Sequence, residues 1–293
     1  MSKYRKILMA YDGSEASKNA LDQAVKLALV SDGAQLTIIV VMQAPEVGVE
    51  VISINEAMGV LEAETGKLAE DAVARAKGAG LKARTVMGKG TPYMEITGLA
   101  EKEGFELIVT GRRGLSRLER VLMGSVTSRI ISHTKKDVLV IPRESKLGFD
   151  SILVATDGSK NADMALERAL DFAVDYNSNS LTAVSVVDVN AEIMALKPDA
   201  VEAMTRRYEK ELELAVAETE ATGLEARKSV VIGPVADSIV KTAGDTGANI
   251  IFMGTHGRTG MARFIMGSVT EKVIGHSMVP VLVTRGGSTE AAS

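Results

Sequence analysis

The sequence predicts an α/β protein built twice over from alternating strands and helices, each repeat resting on a parallel sheet covered by helices on both faces. Three observations carry this reading. Short, continuously apolar runs alternate with segments of helical periodicity, the pattern of strands buried on both sides beneath right-handed crossovers. A glycine-spaced stretch occurs twice: Gly111-Arg112-Arg113-Gly114, nine residues, Gly124-Ser125-Val126-Thr127, and Gly254-Thr255-His256-Gly257, nine residues, Gly267-Ser268-Val269-Thr270. Asp-Gly-Ser also occurs twice, 145 residues apart, against 143 for the glycine stretches, so the chain reads as a tandem duplication with small length changes.

In order, Lys6 to Tyr11 reads as a buried strand ending at Asp12-Gly13-Ser14, and Ser14 is placed to N-cap a helix carrying Ala20, Ala24, Leu27 and Ala28 on one face. Gly33 ends that helix region, and Leu36 to Met42 is a second, β-branched strand. Ser53-Ile54-Asn55-Glu56 has the capping-box pattern and is expected to open a long helix toward Ala76. Lys82 to Met87 is a more polar strand suited to a sheet edge, and Thr91-Pro92 places a cap and an N1 proline before a helix to about Glu103. Leu107 to Thr110 is the fourth strand; the glycine stretch, a short helix to His133 and a fifth strand, Val138 to Ile141, follow. Pro142 closes the unit, and 143–149 reads as a linker.

From Ser151 the order restarts. Ile152 to Thr156 leads to Asp157-Gly158-Ser159, Leu181 to Val187 matches Leu36 to Met42, Pro198 opens the second long helix, and Val279 to Thr284 is the closing strand. The expected domains are 1–143 and 150–285, with a disordered tail from Gly286.

Composition narrows the function. The formal net charge of -4 argues against general nucleic-acid or anionic-membrane binding. Absence of cysteine removes thiolate metal sites and thiol nucleophiles. The apolar run after the basic start stops at Asp12, too short for a signal-peptide core, and no stretch has the length of a membrane span, so the expected location is cytoplasmic.

Each glycine stretch joins a buried strand to a helix N-terminus, where unpaired backbone N–H groups and the positive end of the helix dipole converge on an anion. Glycine lets phosphate oxygens approach the backbone, so the stretch reads as a phosphate grip. No G-x-x-x-x-G-K-[S/T] or G-x-G-x-x-G occurs, which removes the P-loop lysine and the dinucleotide fingerprint. His133 and His276 sit where they can meet the last carbonyls of their helices, whereas His256 lies within the second loop, opposite Arg113 of the first in the repeat.

A strand ending in Asp-Gly-Ser, a later G-x-x-G, nine residues, G-[S/T] and a closing Val-Leu-Val strand together resemble the universal stress protein family, over both halves and nearly the whole chain. Gly254 to Thr284 follows the family pattern throughout; Gly111 to Ile141 departs at Arg112-Arg113 and at Lys136-Asp137. The resemblance implies two tandem five-stranded parallel sheets of order 3-2-1-4-5, the adenine nucleotide alpha hydrolase-like fold, with ligands in the crevice between strands 1 and 4. It looks most like the ATP-holding branch. Carried over by position, it implies adenosine contacts from Asp12 and Val41, and phosphate contacts from Gly111, Gly114, Gly124, Ser125 and Thr127. In the second half the matching residues are Asp157, Val186, Gly254, Gly257, Gly267, Ser268 and Thr270.

The expected function is an ATP-binding regulatory or stress-response protein, one nucleotide per repeat, with magnesium carried by the phosphates and slow hydrolysis at most. A nucleotidyl transferase-like enzyme of the same superfamily, or a scaffold with vestigial sites, are the alternatives. The resemblance also implies that the halves pair through Val138-Leu139-Val140 and Val281-Leu282-Val283 as an intramolecular pseudo-dimer, with a homodimer as the wider assembly.

Overall fold

A computed structural model describes residues 4–43, 51–113, 123–257 and 266–285, with backbone alone for 51–57 and Ala191. The chain divides into two compact units, Ser2–Glu144 and Ser145–Ser293, the latter grouped with Met1. Both are α/β, with parallel strands and helical crossovers.

The first unit runs β1 (Lys6–Ala10), α1 (Glu15–Val30), β2 (Gln35–Met42), α2 (Val51–Gly78), β3 (Arg84–Lys89), α3 (Pro92–Lys102), β4 (Leu107–Gly111), α4 (Ser125–His133) and β5 (Asp137–Ile141). Its strands lie in the order β3-β2-β1-β4-β5, every neighbouring pair parallel. Ile7, Leu8 and Met9 of β1 and Leu107, Ile108 and Val109 of β4 are wholly buried, as continuously apolar runs covered on both faces should be. β3 is half-exposed along its length, which fits its polar sequence and its place at the end of the order.

The second unit runs β6 (Ser151–Ala155), α5 (Lys160–Asp175), β7 (Ser180–Val187), α6 (Ala191–Leu196), α7 (Pro198–Glu220), β8 (Glu225–Ile232), α8 (Val235–Asp245), β9 (Ile250–Gly254), α9 (Ser268–His276) and β10 (Val281–Thr284). The strand order is β8-β7-β6-β9-β10, again parallel throughout. No described helix is long and apolar enough to cross a membrane.

Several local expectations shift. The long helix α2 already covers Val51, so Ser53 lies inside it rather than capping it. Thr91 stands at the N-cap of α3 but its side chain makes no capping bond; the N1 proline sets the start. The short helix α6 was not expected: Asn190 caps it, its side chain accepting from Ile193 N at 2.8 Å. Of the segment read as a linker, residues 145–149 group with the second unit, where Phe149 stacks on Phe172 at a centroid distance of 5.7 Å and lies tilted against Tyr176 at 4.9 Å. The tail from Gly286 lies outside the described residues.

Candidate functional site

The strand order reverses beside β1: the chain runs outward from β1 to β2 and β3 on one side, then crosses back from β3 to β4 and on to β5 on the other, which opens a crevice at the carboxyl ends of β1 and β4. Asp12 follows β1 and Gly111 ends β4, so the topology sets the two sequence motifs face to face. The turn between β1 and α1 is built by its own polar atoms. Asp12 Oδ1 accepts from Ser14 N at 3.0 Å, Gly13 takes φ +77°, and Ser14 Oγ accepts from Ser17 N at 3.2 Å. The second unit repeats this: Asp157 Oδ1 accepts from Ser159 N at 3.0 Å, Gly158 has φ +69°, and Ser159 Oγ accepts from Ala162 N at 3.4 Å. Asp-Gly-Ser is therefore a helix cap in both units, and in the first its Asp12 also lines the crevice.

In the first unit the crevice is a cavity of about 480 Å³. Asp12, Val41, Gly111, Gly124, Ser125 and Thr127 all line it, although they come from four separate stretches of chain. Gly114 lies outside the described residues. The ends of β1 and β2 form one wall. The opposite wall is a stripe of α2, Leu61, Glu64, Thr65 and Leu68, which sequence reading had not singled out. Their helical spacing was the available signal, without any indication of which face met the crevice. Arg113 also lines the cavity, while Arg112 does not. Burial, then the neighbouring Arg113 charge, lowers the Arg112 pKa.

The glycine stretch divides its work. An added Cβ at Gly111 would stand 2.8 Å from the backbone carbon of Ala16, and one at Gly254 would stand 2.9 Å from that of Asn161. Glycine at these two positions thus admits the first turn of α1 or α5 against the strand end, a packing role distinct from contact with a phosphate. The amides of Gly124 and Gly267 donate to Arg112 O and Thr255 O, both at 2.9 Å, which closes the loop. Thr127 Oγ1 donates to Gly111 O at 2.9 Å and Thr270 Oγ1 to Gly254 O at 3.0 Å, and both threonines are buried. Their hydroxyl protons staple the loop to the strand. The donors left for an anion are the first-turn amides of α4 and α9, beginning at Ser125 and Ser268, which lack intrahelical acceptors by position.

In the second unit Asp157 and Gly257 touch directly, since a Cβ on Gly257 would fall 2.3 Å from Asp157 Oδ2. Val186 lies near the carboxyl end of β7, as Val41 does in β2. His256 Nε2 is buried without a hydrogen-bond partner among the described residues, and burial followed by the Arg285 charge lowers its pKa, so the imidazole is neutral at neutral pH. Asn161 Nδ2 holds the His256 carbonyl at 3.1 Å. The other two histidines stand at helix ends as expected: the His133 ring nitrogen Nδ1 lies 2.8 Å from Arg129 O, while that of His276 lies 3.8 Å from Asp237.

The sequence pattern described as the universal stress protein family matches residues 3–142 and again 148–285. The chain is 28% identical to the universal stress protein Rv2005c of Mycobacterium tuberculosis, an alignment covering 97% of this chain and 99% of that one. One stretch of 144 residues is 37% identical to the universal stress protein MJ0531 of Methanocaldococcus jannaschii, covering 49% of this chain and 85% of the relative. Among solved structures, a universal stress protein from Archaeoglobus fulgidus superposes with a TM-score of 0.73 at 25% identity, covering 97% of both chains. With its pattern matched in both halves and over nearly the full length, the chain belongs to the universal stress protein family.

Proposed function

We propose that the first-unit cavity binds an adenine nucleotide, ATP with its magnesium carried by the phosphates, and that the matching motif of the second unit forms a second site. The chain is then a nucleotide-binding regulatory protein in which hydrolysis is slow or absent. One observation carries the reading. Six residues from four separate stretches, picked out by the glycine motif and the family resemblance, line a single cavity of about 480 Å³ at the strand-order switch, a size that suits a small-molecule ligand. Its lining includes the apolar Ile39, Val41 and Leu68, which suit a base, and Arg113 with the start of α4, which suit phosphates. Mass spectrometry of ligand released from purified, denatured protein identifies the nucleotide, and calorimetry after stripping counts it. The expected stoichiometry is two ATP per chain. Folded protein that binds none overturns the reading, and rapid magnesium-dependent turnover would assign it to an enzyme instead.

Arg113 makes the two sites unequal. A guanidinium on the cavity wall adds a charge-assisted contact to phosphate that the neutral His256 cannot match. Arg113→His is expected to lower first-site ATP affinity about tenfold at low salt and to flatten its salt dependence. Arg112→Thr, whose side chain is off the cavity, leaves both unchanged. Calorimetry over a salt series in a Gly267→Val background reads the first site alone; equal slopes with and without Arg113 would remove the arginine from the phosphate site.

A further inference from the structure

The wall formed by α2 is held in place by polar contacts whose residues are all replaced in the second unit. Tyr11, buried at the end of β1 and lining the cavity, donates its hydroxyl to Asp71 Oδ2 at 2.5 Å. One turn further along α2, Arg75 binds Asp22 of α1 through two bonds, Nε to Oδ1 at 2.5 Å and Nη2 to Oδ2 at 2.7 Å. Between these ties and the cavity, Leu68 rests on the Asp-Gly-Ser turn so closely that a Cβ on Gly13 would lie 2.5 Å from Leu68 Cδ2. Burial, then the hydrogen bond and charge of Asp71, raise the Tyr11 hydroxyl above the usual tyrosine pKa, so it remains a proton donor throughout the working pH range.

The second unit supplies the comparison. Gly80 at φ +87° and Gly223 at φ +83° follow α2 and α7, and buried Ala69, Ala72 and Ala76 recur as Leu212, Ala215 and Thr219. In that register Asp71 becomes Leu214 and Arg75 becomes Glu218, while Tyr11 and Asp22 become Thr156 and Glu167. Every member of the network is replaced, and Leu214 is 70% exposed. The conserved helix phase with a changed polar set separates the latch from the general packing of the crossover helix.

We infer that Tyr11 is a positioning residue of the first cavity: its bond to Asp71, backed by Arg75–Asp22, fixes α2 against the end of β1 and keeps the Leu61–Leu68 wall preformed for the nucleotide. This rests on the nucleotide reading above and extends it. The first site then binds with its wall already held, a contribution to affinity from four residues that are all replaced in the second unit.

The test uses the full-length chain with Gly267→Val, ATP as ligand, and amide hydrogen exchange of the ATP-free protein. Tyr11→Phe keeps the ring and removes the hydroxyl; it is expected to weaken ATP about tenfold and to speed exchange across 61–75. Asp71→Asn still accepts the phenolic proton and keeps affinity within about twofold of the parent, while Asp71→Leu weakens ATP as Tyr11→Phe does. A residue of general packing would not be rescued in this way. Unchanged affinity and exchange in Tyr11→Phe, or equal damage from Asp71→Asn and Asp71→Leu, overturns the latch. If the Gly267→Val parent binds no ATP, the nucleotide reading fails by itself, and the exchange of α2 across the same variants still decides whether the latch holds that helix.

Discussion

Gly111→Val destabilises the first unit by about 3 kcal/mol and removes its nucleotide binding with it. The cause is contact with backbone, which cannot rotate away. The Cβ would meet the Ala16 carbon at 2.8 Å and the Ala16 oxygen at 2.9 Å, so the first turn of α1 must withdraw from β4. That movement carries Ser14 and the Asp12 turn with it, because both are tied to the same turn by hydrogen bonds. Urea denaturation with a probe in the first unit measures the loss. Gly98→Ala is the matched control: nothing lies within 4 Å of a Cβ at that position in α3, so alanine there stabilises by about 0.8 kcal/mol through helix propensity. A Gly111→Val protein as stable as the parent would show that the strand end and the helix are not packed as described.

This distinction between glycines marks the limit of what the sequence could disclose. The motif's three glycines look alike in a one-dimensional pattern, yet Gly124 ends a loop at a helix N-terminus, whereas Gly111 admits a helix whose Ala16 lies far away in the sequence. The strands were legible because β1, β4 and β5 each carry an unbroken apolar run, Ile7–Ala10, Leu107–Val109 and Val138–Ile141, as a strand covered on both faces requires. Caps written in adjacent residues, Ser14 and Ser159, were legible for the same local reason. Ser53 misled because a capping-box sequence within a helix is indistinguishable from one at its start until the preceding turn is seen. The α2 wall and the Tyr11–Asp71 pair were not legible, since 60 residues separate the partners and periodicity does not state what an exposed face confronts. Likewise Thr127, whose type and position suit a phosphate contact, spends its proton on Gly111.

Gly124→Val is expected to separate binding from folding. Gly124 has φ -68° and ψ 145°, extended backbone that valine adopts readily, so no conformational strain demands glycine there. Its amide donates to Arg112 O at 2.9 Å, a bond that any residue except proline can make. What valine changes is the space in front of α4: Gly124 lines the cavity beside Ser125 and Val126, where an anion must come within hydrogen-bond distance of the first-turn amides. A branched side chain at the N-cap excludes phosphate oxygens from those donors, and the loss is steric rather than electrostatic, so added salt should neither deepen nor relieve it. First-site ATP affinity should fall at least about a hundredfold, more than any single charge substitution in the cavity, while stability changes by less than about 1 kcal/mol. Gly124→Ala, with one methyl group, should fall between parent and valine. Calorimetry in the Gly267→Val background, paired with urea denaturation, reads both quantities on the same protein. Retained ATP binding in a folded Gly124→Val chain would place the phosphates away from the α4 N-terminus and would remove the anion grip from the proposed site.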